Sequence, residues 1–348
     1  MNELYVIVPE EPSSILSNMI DAAIEGENHI IIKDNNLPNL KHKRIIFAIE
    51  LNEAGFCINL SSILTELNNR GEDTLEGAIA GVLIHSPNDL YTKTVAQNTI
   101  LHLNSLGCRF PGRPLVEATG SLRNFLTLQK VIKKPLEDVA IEASKRLGNK
   151  IRTDSPKLIK NPNILVLHSS NRKTSNSIML WDMVHKHLSN FNIREIHIEN
   201  GTVRDCKGCP YTTCKHYGEQ TSCFYGGIMV EEVYPAVLDA DAVIWICPNY
   251  NDAISANLTA VINRLTALFR KTKFYDKSLF GIIVSGNSGS DTIAKQLISA
   301  LNINKTFRLP PKFSIMATAN DKDAIFDVNN IEKKAEEFAE NLKNEIKK

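Results

Sequence analysis

The sequence predicts an α/β protein with two domains, each built on a doubly wound parallel sheet. In the second half, short apolar runs alternate with segments of helical periodicity, the pattern of a parallel sheet with crossover helices. The first half has the same rhythm with shorter connections, and the two halves align on each other. The 348 residues suffice for two domains of ordinary size.

Five strands are predicted in the second half. They are, in order, NILVLH (163–168), REIHI (194–198), AVIWIC (242–247), LFGIIVSG (279–286) and KFSIMAT (312–318). Helical spacing predicts helices in the intervening segments IMLWDMVHKHL, IMVEEVYPAVL, SANLTAVINRLTALFRK and TIAKQLISALN, and in the charged final segment NIEKKAEEFAENLKNEIK.

In the first half, the predicted strands are LYVIVP, HIIIK, RIIFAIE and GAIAGVLIHS. The predicted helices are NLSSILTELNN, TVAQNTILHLNSL and FLTLQKVIKKPLEDVAIEASKRL.

The alignment of the halves indicates an internal duplication. Asn59-Leu60 falls on Asn257-Leu258 at an offset of 198, and Arg109-Phe110-Pro111 falls on Arg308-Leu309-Pro310 at 199. Two parallel α/β domains can also look alike through composition alone. The polar segment 149–163, with two prolines, is the predicted linker between domains 1–150 and 160–348.

Charge and hydropathy exclude several classes of function. A net charge of +1 gives no basic field for nucleic acid. No apolar run approaches the roughly 18–20 residues of a membrane helix, and no signal peptide is visible, so we expect a cytoplasmic protein that does not bind membranes. The seven cysteines are clustered rather than spaced as a disulfide framework, which favours metal or redox roles in a reducing compartment.

Ligands of open α/β sheets bind at the carboxyl ends of the strands, near the topological switch point. The first strand of the second half is followed there by SSNRKTSNS (169–177), which runs into a helix. Free backbone N–H groups, hydroxyls and an arginine suit a phosphate, although Ser175-Asn176 could also be a simple helix cap. The candidate phosphate ligands are Ser169, Arg172, Ser175, Asn176 and Ser177.

Two further strand ends carry small or polar residues. Pro248-Asn249-Tyr250-Asn251 gives a rigid turn and a flat aromatic side chain, and Ser285-Gly286-Asn287 allows close approach of a planar ligand. Tyr250 could instead serve ordinary packing, and the second stretch could be an ordinary turn. Three such loops on adjacent strands together indicate one ligand with a phosphate and a ring system.

These motifs resemble the flavodoxin-like, NAD(P)H-dependent FMN reductase family, especially its iron–sulfur flavoprotein branch. SSNRKTSNS, CKGC, PNY and VINR (261–264) occur in the order of that family over roughly 161–320. The resemblance implies a flavodoxin-like second domain, FMN bound by the residues named above, and NAD(P)H as co-substrate, and the duplication extends the flavodoxin-like fold to a degenerate first domain. The sequence departs from the family with His168 where glycine is common, and with FYGG (224–227) in place of Asp-Asp.

The first half lacks these ligand motifs. PEEPSS (9–14) stands at the end of its first strand, where two carboxylates repel a phosphate, and ELNE (50–53) aligns with PNYN. The resemblance implies that flavin sites are often built at a dimer interface, so a homodimer is one expected assembly. The degenerate first domain could instead act as a built-in partner that covers the flavin, or bind an unrelated ligand.

Four cysteines, Cys206, Cys209, Cys214 and Cys223, follow the spacing C-x2-C-x4-C-x8-C. Four thiolates in one loop can hold a [4Fe–4S] cluster or a tetrahedral zinc ion. Redox-active or free thiols remain a third interpretation, and His216 in the same loop is another candidate ligand. Cys57, Cys108 and Cys247 lie in apolar stretches typical of core residues.

The expected function is an FMN-dependent oxidoreductase that passes electrons from NAD(P)H to a small-molecule or protein acceptor, such as a quinone, another flavin or the cluster. The cofactor carries this chemistry, so no catalytic side chain is named. The alternatives are an electron carrier without a substrate of its own, and a metal-binding scaffold with an empty flavin site.

Overall fold

The computed structural model describes residues 3–33, 36–171 and 174–348. The chain divides into two compact units, Met1–Ser155 and Pro156–Lys348. Within the described ranges, no helix is long and apolar enough to cross a membrane.

The first unit is a five-stranded parallel sheet in the order β2-β1-β3-β4-β5, flanked by helices. Helices α1 and α5 pack against each other, and α2 contacts α3. A turn of 3-10 helix at Arg123–Phe125 precedes α4. The elements are β1 (Leu4–Ile7), α1 (Ser14–Ile24), β2 (His29–Ile32), β3 (Arg44–Glu50), α2 (Ile58–Asn69), β4 (Ile79–His85), α3 (Thr92–Ser105), β5 (Leu115–Ala118), α4 (Leu126–Ile132) and α5 (Leu136–Thr153).

The second unit repeats this architecture, with strand order β10-β9-β8-β6-β7 and all strands parallel. Short 3-10 or π-helical turns lie at Met229–Val233, Ile298–Ile303 and Ala324–Asp327. The elements are β6 (Asn163–His168), α6 (Asn176–Lys186), β7 (Asn192–His197), α7 (Tyr211–Glu219), α8 (Tyr234–Asp239), β8 (Ala242–Pro248), α9 (Ala256–Lys271), β9 (Ser278–Ser285), α10 (Ser290–Leu297), β10 (Ser314–Thr318) and α11 (Ile331–Ile346).

The predicted fold class is therefore confirmed, and three local predictions need correction. The single helix expected over FLTLQKVIKKPLEDVAIEASKRL is two helices, because Pro135 interrupts the hydrogen-bond ladder and is the N-cap of α5. Strand β5 and helix α1 were not predicted from the first half. The cysteine segment, expected to be a loop, contains α7.

The central strands form because their residues are apolar on both faces. All residues of β4, β8 and β9 are buried, as expected for parallel strands covered by helices on each side. The edge strands are less buried: three of the four residues of β2 and three of the six residues of β7 are exposed.

Equivalent hydrogen bonds in the two units support the duplication. Ala80 N donates to Arg109 O at 3.0 Å, and Leu279 N donates to Arg308 O at 2.9 Å. The donor and the acceptor of the second bond each lie 199 residues after those of the first. A buried asparagine also closes an equivalent loop in each unit, after α3 in the first and after α10 and its π-helical turn in the second. Asn104 Nδ2 donates to Cys108 O at 2.9 Å, and Asn302 Nδ2 donates to Phe307 O at 2.7 Å.

Replacing Asn302 tests the importance of this loop closure. Asn302→Ala should destabilise the protein by about 1–3 kcal/mol, because the buried carbonyl of Phe307 loses its donor. Asn304→Ala, at an exposed position two residues further on, is the matched control and should have little effect. Urea unfolding of both variants gives the comparison, and equal stabilities would contradict this role for Asn302.

Candidate functional site

The candidate site lies at the carboxyl edge of the second sheet. Strands β6 and β8 are neighbours, and the chain proceeds from them to opposite sides of the sheet, so the topological switch point lies between them. The loops after β6, β8 and β9 open at this edge, and the described members of the predicted FMN site lie in these loops or in the strand and helix ends that flank them.

The loop after β6 leads into the N-terminus of α6. Ser175 is the N-cap of α6, and its Oγ accepts a hydrogen bond from Ile178 N at 3.4 Å. Within the protein itself, this serine therefore caps the helix. Ser170 is only 2% exposed, and its Oγ has no hydrogen-bond partner among the described residues. A buried hydroxyl without a partner is costly, and a ligand phosphate would satisfy it.

The remaining predicted phosphate ligands differ in what they can offer. The Asn176 side chain donates to Ala319 O at 3.1 Å and Asp321 O at 2.7 Å, which fixes the loop after β10 and leaves the backbone N–H for a ligand. Ser177 is buried in the first turn of α6. Arg172 lies outside the described residues.

Ser169 joins the first loop to the second. Its Oγ lies 2.7 Å from Ser255 Oγ, and Ser255 is the N-cap of α9. Pro248 is buried at the end of β8, and the chain then reverses through Tyr250–Ala253. Asn251 and Asp252 have φ of 55° and 57°, as a type I′ turn requires, and both residue types tolerate this backbone. Tyr250 is exposed at this turn and is not a core residue.

Asn249 joins the second loop to the third. Its Nδ2 donates to Ser285 Oγ at 3.1 Å and to Ser288 O at 2.9 Å, while its buried Oδ1 has no partner in the described part of the chain. Gly289 adopts φ of 85°, and a Cβ there would lie 2.1 Å from Asp252 Oδ1, so only glycine permits this contact. Gly286 is half-buried and Asn287 is exposed at the opening of the loop.

The structure thus brings the three predicted loops to one edge of the second sheet. Residues 162–321 match the family model of NADPH-dependent FMN reductase. The resemblance predicted for the C-terminal half is confirmed. The matched segment runs from the start of β6 to just beyond β10 and contains all three loops of the site.

Solved structures with a similar fold cover about half of the chain. NAD(P)H:quinone oxidoreductase from Methanothermobacter marburgensis is 16% identical with a TM-score of 0.40, and covers 53% of this chain and 98% of its own. An azoreductase from Bacillus anthracis is 13% identical with a TM-score of 0.38, and the match covers 53% of this chain and 99% of the azoreductase. The Trp repressor binding protein from Bacillus subtilis is 15% identical with a TM-score of 0.33, and the match covers 50% of this chain and 96% of that protein. Such identities concern the fold alone. No curated protein matches the chain significantly.

His168, noted from the sequence only as a departure from the FMN reductase pattern, is a buried polar residue at the end of β6, directly before the first loop. Its Nε2 lies 3.0 Å from Glu195 Oε1, and its ring stacks on His197 with centroids 4.7 Å apart. Glu195 Oε2 also accepts a hydrogen bond from Trp181 Nε1 at 3.1 Å. The Nδ1 atom of His168 is buried without a partner among the described residues, so it is a further polar atom at the base of the site.

The four clustered cysteines of the second unit, Cys206, Cys209, Cys214 and Cys223, line one cavity of about 100 Å³. Cys206 is exposed and the other three are half-buried, and all four are free thiols. Aromatic side chains of Tyr217, Phe224 and Tyr225 complete much of the wall. His216, the other candidate ligand, is exposed on α7 and is not among the described lining residues. Within residues 3–33, 36–171 and 174–348, no group of three or more His, Cys, Asp or Glu side chains is placed to hold a metal ion.

Arg264 also lines this cavity. The sequence placed it in the VINR motif but did not predict it as a site residue. It is 3% exposed, and its Nη2 donates to Gly226 O at 2.7 Å. Its Nε has no hydrogen-bond partner, and no carboxylate pairs with it, among the residues described. A buried guanidinium without a counter-charge is unfavourable, so the cavity is suited to negative charge.

Helix α9 connects the cavity with the strand-end loops. Ser255 caps the helix beside the phosphate loop, whereas Asn263 and Arg270 line the cavity. At 1.5 Å per residue, these two positions lie roughly 12 and 22 Å along the helix from Ser255. The thiols therefore form a separate centre and do not contribute to the strand-end site.

The corresponding edge of the first unit is closed by the protein itself. Glu50, the last residue of β3, accepts a hydrogen bond from Ser13 N at 2.9 Å at the N-terminus of α1. His85 Nδ1 contacts both Glu50 Oε1 and Ser13 Oγ. Sequence reasoning assigned the repulsion of phosphate to Glu10 and Glu11, but Glu10 accepts from Asn59 N and Glu11 pairs with Lys33. Glu50 is therefore the carboxylate that lies at the N-terminus of α1, the position where an anion would bind.

The Glu50 interactions predict a pH dependence of stability. Burial favours the neutral acid, but hydrogen bonds from His85 and Ser13 and the charge of His85 outweigh it and hold the pKa of Glu50 below its usual value. This contribution to stability is complete above the unfolded-state pKa of about 4.3 and is lost as the pH falls through the lower folded-state pKa.

The stability difference between wild type and Glu50→Gln should therefore be largest above about pH 5 and should shrink in acid. Chemical unfolding across a pH series measures it. Glu53→Gln, at a nearby exposed position, is the control and should have little effect throughout. A difference that stays constant down to pH 2.5 would show that the charge of Glu50 is not involved.

Proposed function

We propose that the second unit is an FMN-dependent oxidoreductase that accepts electrons from NAD(P)H and passes them to an acceptor such as a quinone, another flavin or an iron–sulfur cluster. The observation that carries this proposal is the unpartnered Ser170 hydroxyl beside the N-terminus of α6, inside the segment that matches the FMN reductase family. It is the group expected where a cofactor phosphate binds.

The residues present fit FMN in chemical type and placement. Ser170 Oγ and the backbone N–H groups at the start of α6 would hold the phosphate, with Ser169, Ser175 and Arg172 around it. Pro248–Asn251 and Ser285–Asn287 would flank the ring system, with the Asn249 Oδ1 as an open acceptor. When bound, FMN supplies hydride acceptance and electron transfer. The protein binds and orients, and we assign no side chain as acid or base.

The four-cysteine cavity favours a second candidate, an electron carrier with no substrate of its own. Four thiols on one cavity supply the donor set of a [4Fe–4S] cluster, and Arg264 supplies a counter-charge for an anionic thiolate cluster. The thiols are not arranged as a metal site in this structure, so cluster binding would require them to converge. Steady-state NAD(P)H oxidation with added acceptors separates the two candidates, because only the enzyme turns over.

All seven cysteines are free, which suits a reducing compartment. We therefore propose that the protein works in the cytoplasm.

The first experiment is the absorbance spectrum of protein purified without oxygen, before and after dithionite. Oxidised-flavin bands that bleach on reduction would support the FMN proposal, and an added broad absorption would support the cluster. Protein that is colourless and does not bind added FMN would overturn the main proposal.

Replacing Ser170 tests the phosphate site. Ser170→Ala should weaken FMN binding about 5- to 30-fold, because a hydrogen bond to a charged phosphate is worth roughly 1–2 kcal/mol. Affinity for riboflavin, which lacks the phosphate, should be unchanged. Fluorescence titration gives both values, and Ser189→Ala, at an exposed position after α6, is the matched control. An equal loss for FMN and riboflavin would contradict a phosphate contact.

Replacing the cysteines tests the cluster. If Cys206, Cys209, Cys214 and Cys223 are ligands, each Cys→Ser variant should lower iron and acid-labile sulfide in anaerobically reconstituted protein, because serine is a poor ligand for iron in such clusters. Cys57→Ala, outside the cavity, is the control. Iron content that is unaffected by all four substitutions would remove the cluster and leave a thiol site.

A further inference from the structure

A groove in the first unit lies between the opening turns of α2 and α3. Its volume is about 330 Å³, within the range of small-molecule pockets. It lies where the loops after β3 and β4 lead into these helices, close enough to the edge closed by Glu50 for that carboxylate to act on the Cys57 thiol. The lining residues are Ala54, Gly55, Phe56, Cys57, Leu60, Ser61, Leu64, Tyr91, Thr94, Val95, Asn98 and Thr99.

None of the twelve described lining residues carries a charge, although 23% of the chain is charged. The polar side chains of Ser61, Thr94 and Asn98 are neutral and exposed to the groove's opening. Burial raises the pKa of the Cys57 thiol to about 11, so this side chain is neutral as well. Such a wall offers hydrogen bonds but nothing to balance the charge of an ionic ligand.

Large apolar side chains are concentrated at the mouth of this groove. Phe56 is 66% exposed and Tyr91 46%, and their neighbours Ile58 and Leu90 are 71% and 62% exposed. Single exposed apolar residues are ordinary, but four within two contacting loops form a patch of the kind that marks binding sites.

Tyr91 is held in an unfavourable backbone conformation at this mouth. Its φ is 73°, in the left-handed region that a bulky residue rarely adopts. Its ring lies against Gly55, where a Cβ would approach the ring to 2.3 Å. Strain of this kind concentrates at ligand sites, where the surrounding structure maintains it. Here it places an aromatic face beside the groove.

We propose that this groove binds a neutral, planar aromatic molecule against the rings of Phe56 and Tyr91, with Ser61, Thr94 and Asn98 available to hydrogen-bond its polar edge. The aromatic walls select a flat ring, and the uncharged lining excludes a phosphorylated one. The site is in the first unit and does not depend on the flavin proposed for the second.

Calorimetric titration of the full chain with 2-naphthol and 2-naphthyl phosphate tests the proposal. The two probes share a ring and differ in charge. With FMN present in excess, 2-naphthol should bind at one site per chain, and the phosphate at least tenfold more weakly. Equal affinities would overturn the proposal. If FMN does not bind the protein at all, the 2-naphthol result is still expected, so the two proposals fail separately.

Tyr91→Gly tests the site without threatening the fold, because glycine suits a φ of 73°. Thermal unfolding should be retained, and 2-naphthol affinity should fall at least tenfold. Val131→Ala, at an exposed apolar position on α4, should leave affinity unchanged. Undiminished binding by Tyr91→Gly would overturn the assignment. A second result would also overturn it. If wild type does not bind 2-naphthol and sediments as a dimer, and Tyr91→Gly sediments as a monomer, then a second copy of the chain covers the groove.

Discussion

Helices cover both faces of each sheet, so the central strands meet water only where they end. Every residue of β8 and β9 is buried, so exposed polar side chains first appear where the backbone hydrogen bonds between these strands end. Ser285 and Asn249 stand at that limit, and they bond to each other across neighbouring strands. The same constraint sets Ser169 against Ser255. The polar groups of the candidate site thus lie where these buried strands end.

The two units show two outcomes of one arrangement. In each, a helix begins beside the end of the first strand with a serine as its N-cap. In the second unit, polar groups near that helix have no hydrogen-bond partner among the described residues, notably the Ser170 hydroxyl. In the first, a carboxylate from the third strand takes the free N–H of Ser13. A single acidic side chain at the end of β3 thus distinguishes a closed edge from an open one.

Sequence patterns predicted most of this fold because strands buried on both faces are continuous apolar runs. Strand β5, with only LVEA, was too short and too polar to stand out, and α1 has few charged residues to mark an amphipathic face. The loops of the candidate site were predictable from their place after strands. The partners of Asn176, Glu50 and Arg264 were not, because each depends on residues distant in sequence that only the folded chain brings close.

The buried guanidinium of Arg264 has a consequence for electron transfer. A fixed positive charge in a medium of low dielectric constant stabilises whichever state of a neighbouring group is more negative. A centre that gains an electron inside the cysteine cavity would therefore be easier to reduce than the same centre in a cavity that lacks Arg264. The VINR motif would in this way raise the reduction potential of whatever the cavity holds.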